Sequence, residues 1–124
     1  MTFASRARQT LVGTADAGSD RVAARLGDAV QRFGTTESAD IRIVPHHDPE
    51  GGNAAAITWP DGFTVALRLV VPGLHNLRNA TAALAVVREL GADVEHAAQR
   101  LASFSGVGRR FERLGRANGI EFID

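Results

Sequence analysis

From Phe63 to Val71 apolar and polar positions alternate. Phe63, Val65, Leu67, Leu69 and Val71 point one way and Thr64, Ala66 and Arg68 the other. A period of two over nine residues predicts a strand with one buried face. Asn53 to Trp59 supplies the other arm of a hairpin, because Pro60-Asp61-Gly62 lies between them. Pro presets φ for a turn and Gly tolerates positive φ. Ile41 and Ile43 alternate with Arg42 and Val44 in a further half-exposed strand, and Pro45 to Gly52, rich in Pro, His, Asp and Gly, reads as a loop. The middle of the chain is therefore expected to be antiparallel. Nearer the start, Thr10 to Thr14 forms a short buried strand that runs into the turn-rich Ala15-Asp16-Ala17-Gly18. Ser19 or Asp20 is placed to cap a helix with Val22, Ala23 and Leu26 on its apolar face, closed by Gly27; Asp16 reads as a turn former. Ala29 to Phe33 follows as a second strand. This strand–helix–strand order predicts a parallel pair with a right-handed crossover.

After Pro72-Gly73 the period becomes helical. Leu77, Thr81, Leu84, Val87 and Leu90 make one stripe, interleaved with Ala80, Ala82, Ala83 and Ala85, and Gly91 fits the position that ends such a helix. Asp93 is placed to cap a second helix carrying Val94, Ala97, Ala98 and Leu101, which ends near Phe104. Ser105 to Gly108 reads as a linker. Phe111 to Leu114 and Ile120 to Ile123 then flank Asn118-Gly119, a hairpin signal. The fold class is α/β.

Composition narrows the chemistry. The 124 residues carry 14 basic and 14 acidic groups, a balance that argues against a general polyanion binder such as a nucleic-acid protein. All of the basic residues are Arg. Without Lys the chain holds neither a Walker-type phosphate loop nor a Schiff-base centre. The absence of Cys leaves no disulfide or thiolate metal site and suits a cytoplasmic protein. No apolar run is long enough to span a membrane, and Met1 to Arg6 has no signal-peptide core, so the chain reads as soluble.

Chemistry-bearing residues cluster where the hairpin meets the helix. His75, Asn76 and Asn79 stand at a strand-to-helix junction, where backbone N–H groups and the helix dipole favour nucleotide phosphates. An Asn amide offers a donor and an acceptor side by side, matching the exocyclic amine and ring nitrogen of adenine. The bland reading makes Asn76 an N-cap and Asn79 a solvated first-turn residue. Arg109 and Arg110, in a run with Arg113 and Arg116, could clamp phosphates or form a solvated basic hairpin paired with Glu112 and Glu121. His46-His47-Asp48-Pro49-Glu50 has metal-binding residue types but lacks the spacing of a rigid site. His96 reads as a surface residue.

Two segments carry a resemblance: Pro72-Gly73-Leu74-His75-Asn76-Leu77-Arg78-Asn79-Ala80-Thr81-Ala82-Ala83, and Ser105-Gly106-Val107-Gly108-Arg109-Arg110-Phe111-Glu112. Together they resemble the Mur ligases, ATP-dependent amino-acid ligases of peptidoglycan synthesis. The Arg-Arg-Phe-Glu form is most similar to the branch that joins L-alanine to UDP-N-acetylmuramate. The resemblance implies a partial central domain of strand–helix–strand, antiparallel hairpin and two helices, followed by a short β-hairpin. Residues 1–104 would be the second half of the ATP-binding central domain, and 105–124 the linker and first hairpin of the C-terminal domain. It implies that His75, Asn76 and Asn79 line the adenine pocket and that Arg110 reaches ATP from the hinge. The family often has an Asp-Asp pair after the first strand; here the second position is Ala17.

In the implied reaction the UDP-N-acetylmuramate carboxylate attacks the γ-phosphate of ATP, and the amine of L-alanine opens the resulting acyl phosphate. The phosphate-loop Lys and the magnesium ligands would lie upstream of Met1, and a ribose-contacting Asp one residue beyond Asp124. The chain is thus expected to contribute ATP contacts and to be inactive alone. A murein tripeptide-recycling ligase remains open, as does a non-catalytic interaction module on the same scaffold. The D-glutamate-adding branch fits less well, since its linker carries Pro-His-Arg where this chain has Gly108-Arg109-Arg110. Half of a parallel sheet would expose an edge, so weak self-association is expected.

Overall fold

The computed structural model describes residues 4–50, 52–106 and 113–123. Five strands form one mixed sheet in the order β1 (Thr10–Gly13), β2 (Val30–Gly34), β3 (Ile41–His47), β4 (Asn53–Thr58), β5 (Thr64–Leu69). β1, β2 and β3 run parallel, and β3, β4 and β5 antiparallel in turn. Helix α1 (Ala17–Leu26) joins β1 to β2 and packs on both; α2 (Leu74–Glu89) follows β5 and packs against all five strands; α3 (Val94–Leu101) packs on β5 and α2. A separate hairpin, β6 (Arg113–Ala117) and β7 (Ile120–Ile123), completes the described chain. The mixed α/β architecture is the one expected, with the parallel and antiparallel halves fused through β3. Among the described residues no helix is long and apolar enough to cross a membrane.

The core lies between the sheet and α2/α3. Ile41, Ile43, Ala55, Ile57, Val65, Leu67 and Leu69 from the sheet meet Leu77, Ala80, Leu84, Ala85, Val94 and Ala98 from the helices. The alternation of β5 is realised, with Val65, Leu67 and Leu69 buried and Thr64, Ala66 and Arg68 exposed. Thr81 is fully buried in this apolar layer because its hydroxyl donates to the Leu77 carbonyl at 2.7 Å, so no polar atom is left unpaired.

Three local expectations are corrected. Asp16, not Ser19 or Asp20, caps α1: its Oδ1 accepts from the N–H groups of Gly18 (2.7 Å) and Ser19 (3.0 Å), and the Ser19 hydroxyl donates to Oδ2. Starting one residue after Asp16, the helix uses that carboxylate to satisfy its free N–H groups. Pro45, His46 and His47 belong to β3 rather than to a loop. β2 pairs only with Ile41 and Arg42, so from Ile43 onward that side of β3 is open and a residue without N–H is tolerated there. Leu90 drops out of the α2 stripe and is 78% exposed, since it sits at the C-cap after the helix has ended.

Candidate functional site

Strand β5 leads directly into α2, at the end of the sheet where the parallel strands also finish. That end of an open α/β sheet is where ligands bind. Gly73 occupies the N-cap of α2 with φ 95° and ψ 144°, and Leu74 is the first helical residue. His75, Asn76 and Asn79 are therefore the second, third and sixth residues of the helix. Spacings of three and four put Asn79 beside both Asn76 and His75. Leu77, Ala80, Thr81 and Leu84 hold the opposite face against the sheet.

The three residues are brought together but do not have equal roles. Asn76 is not the N-cap, because Gly73 has taken that place. Its Nδ2 instead donates back to the Pro72 carbonyl at 2.6 Å, and its backbone N–H donates to the Gly73 carbonyl at 3.1 Å. His75 is exposed, and its ring lies over Gly73. A Cβ added at Gly73 would stand 2.7 Å from His75 Cε1 and 2.8 Å from Nδ1. Asn79 is exposed, and among the described residues its amide has no hydrogen-bond partner. Donor and acceptor are both free for a ligand. Arg110, with Arg109, Phe111 and Glu112, lies outside the described residues.

Two further residues belong to this junction, and neither was legible in the local pattern. Asn53, the first residue of β4, donates from Nδ2 to the carbonyls of Val71 (3.3 Å) and Gly73 (2.8 Å). Arg78, one turn into α2, has a buried Nε with no partner among the described residues. A buried unpartnered guanidinium N–H was visible only once the helix had been packed.

The acidic and imidazole residues of the β3–β4 connection serve a different purpose. His46 and His47 end β3 on opposite faces of the sheet. Asp48 is buried and accepts from the Glu50 N–H at 3.0 Å and from Arg68 Nε at 2.8 Å. Arg68 also pairs with Glu50. The Glu50 N–H, with the Arg68 charge beside it, holds the Asp48 carboxyl below its ordinary value against the opposing effect of burial. Arg68 is shifted upward, chiefly by its bond to Glu50. These groups brace the turn that delivers Asn53 to the junction.

At its other end α2 is held by Arg88. Its guanidinium carbon sits 5.1 Å from the Trp59 ring centroid and 4.8 Å from that of Phe63, and the group forks onto both carboxylate oxygens of Asp61. The two aromatic rings are themselves 5.5 Å apart. Both ends of the helix are thus tied to the β3–β5 hairpins. A polar cleft of about 410 Å³ lies at the amino ends of β1 and β2, and an apolar one of about 210 Å³ between β1 and the last turns of α2. Neither is lined by His75, Asn76 or Asn79.

A mixed sheet backed by helices, with an amide-rich strand-to-helix turn, defines a protein of the α/β class. No protein-family model matches the chain. It is 40% identical over 114 residues to the UDP-N-acetylmuramate–L-alanine ligase of Acidothermus cellulolyticus, a match that covers 90% of this chain and 24% of that protein. To the ligase of the same name from Clavibacter michiganensis it is 41% identical over 123 residues, covering 98% and 25%. Among solved structures, the UDP-N-acetylmuramate–alanine ligase MurC from Thermotoga maritima superposes with a TM-score of 0.72 at 26% identity, over 94% of this chain and 26% of that one. MurF from Thermotoga maritima, solved in complex with ADP, shares the fold with a TM-score of 0.64 at 24% identity, over 94% and 27%. The chain belongs to the Mur ligase family and spans about a quarter of the length of the curated relatives it matches.

Proposed function

We propose that this chain is the adenine-positioning part of an ADP-forming ligase that joins L-alanine to UDP-N-acetylmuramate in peptidoglycan synthesis, in the cytoplasm. Residues 1–104 are then the second half of the ATP-binding central domain, and 105–124 the linker and first hairpin of the C-terminal domain. The observation that carries this reading is the unengaged amide of Asn79, one helical turn from His75 on the exposed face of α2's first turns. Asn79 offers adenine a donor and an acceptor together. Asn76 has committed one hydrogen of its NH₂ to the Pro72 carbonyl, so it supports the turn more than it reads the base. Arg110 would reach the nucleotide from the linker as the domains close.

ATP would supply the phosphoryl group that activates the UDP-N-acetylmuramate carboxylate, with magnesium balancing its charge. The family resemblance assigns magnesium ligation to residues outside this chain. With no Lys to meet the transferring phosphate, the chain by itself is expected to turn nothing over.

The test is a chimera in which this chain replaces the matching quarter of the Acidothermus ligase. L-alanine-dependent release of ADP is expected, with Asn79→Ala raising the KM for ATP and leaving the KM for L-alanine unchanged. A folded chimera that is inactive, or one indifferent to Asn79→Ala, would contradict the reading.

A further inference from the structure

We propose that Asn53 is the positioning residue of the nucleotide turn, setting the geometry of Gly73 to Asn79 from 20 residues upstream of the helix N-cap. The inference rests on the reading of that turn as an adenine contact. Three successive carbonyls, those of Val71, Pro72 and Gly73, are each held by a side-chain amide: Val71 and Gly73 by Asn53, and Pro72 by Asn76. The turn is poor in donors of its own because Pro72 has no N–H. Asn53 stands opposite His47 and Leu69 in the ladder, on the same sheet face as Ala55 and Ile57, and this directs its side chain toward α2. Both hydrogens of its NH₂ are used, one on each side of Pro72.

The consequence is specific to the amide. The Gly73 peptide carries the carbonyl that accepts the Asn76 N–H, and the Gly73 α-carbon is the surface on which the His75 ring rests. Rotation of that peptide would swing the first turn of α2 and move His75 relative to Asn79. Asp has the same shape as Asn, but an ionised carboxylate would set a lone-pair-bearing oxygen, in the place of Nδ2, against two carbonyls. A residue needed only to fill space would tolerate that change, whereas a residue needed as a double donor would not.

The experiment compares wild type, Asn53→Ala and Asn53→Asp by NMR, reading amide hydrogen exchange along the chain and then shifts on titration with Mg-ADP. Exchange of the Asn76 amide is expected to accelerate roughly tenfold to a hundredfold in both variants, as loss of two hydrogen bonds implies. The Leu84 amide in the core should stay within about twofold. Nucleotide affinity should fall by about tenfold or more in both variants, with Asp no better than Ala. Acceleration spread equally to Leu84, unchanged exchange at Asn76, or full recovery in Asn53→Asp would each overturn the proposal. So would equal ADP affinity in variants whose junction has loosened. If wild type gives no ADP shifts while Asn76 exchange still accelerates in the variants, the adenine reading fails and the positioning of the turn by Asn53 stands.

Discussion

Replacing Gly73 by Ala tests how the fold aims its candidate site. The residue's φ of 95° with ψ of 144° is a region that L-residues avoid, and forcing a side chain into it costs about 1–3 kcal/mol. The new Cβ would also lie 2.7 Å from the His75 ring, closer than atoms approach in folded proteins. His75 is exposed, so its ring should swing aside at little cost, and the backbone strain dominates the energy. In a chain of 124 residues each kcal/mol lowers Tm by roughly 4 °C, so a fall of about 4–12 °C is expected by calorimetry. The His75 ring resonances should move in the same variant, while those of the Trp59 indole, at the far end of α2, should not. Unchanged Tm together with unchanged His75 resonances would refute the argument. It would mean that the turn relaxes freely and does not hold His75 in place.

Arg88→Ala removes two cation–aromatic contacts and a forked, half-exposed ion pair to Asp61, and should cost about 1–3 kcal/mol in urea denaturation. Arg88→Lys should recover only part of that, because an ammonium can neither stack flat on a ring nor fork onto a carboxylate. Acid should destabilise the fold through Asp16, Asp48 and Asp61. Their folded values are held below the ordinary 3.8 by Ser19, by the Glu50 N–H and by Arg88 respectively. Folding therefore favours their charged forms. The stability they contribute is present above the unfolded value and is lost as pH falls through the folded ones. Denaturation midpoints should drop as pH falls below about 4, and less steeply in Asp48→Asn; a flat profile would reject this. Asp93→Ala should cost about 1 kcal/mol by removing the acceptor for the His96 N–H, with α3 amides exchanging faster than those of α2.

What the sequence disclosed were the features governed by neighbours along the chain. The alternation from Phe63, the Ala-rich stripe through Leu77 and Leu84, and the cap at Asp93 are local signals, and each appears where expected. Asn118 and Gly119, with φ of 50° and 79°, form the tight hairpin turn that their residue types favour. Features that depend on distant partners were not legible. Whether Pro45 lies in a strand depends on how far β2 reaches along β3, which no local pattern records. Asn76 looked like a cap because Asn often is one, yet Gly73 supplies the sharper bend and leaves Asn76 to bond backward. Asn53 had no visible signal, since its partners lie 18 and 20 residues away. The resemblance to the Mur ligases singled out the turn from β5 into α2, whereas the division of labour among its amides emerged only from the packed structure.

The central claim is that the first turns of α2 receive adenine, and titration of this chain with Mg-ADP, wild type beside Asn79→Ala, tests it most directly. The account predicts NMR shifts confined to His75, Asn76, Asn79 and Arg110, and largely lost in Asn79→Ala, whose amide donates to nothing else among the described residues. Shifts centred instead on the clefts beside β1, or identical titrations of the two proteins, would contradict it.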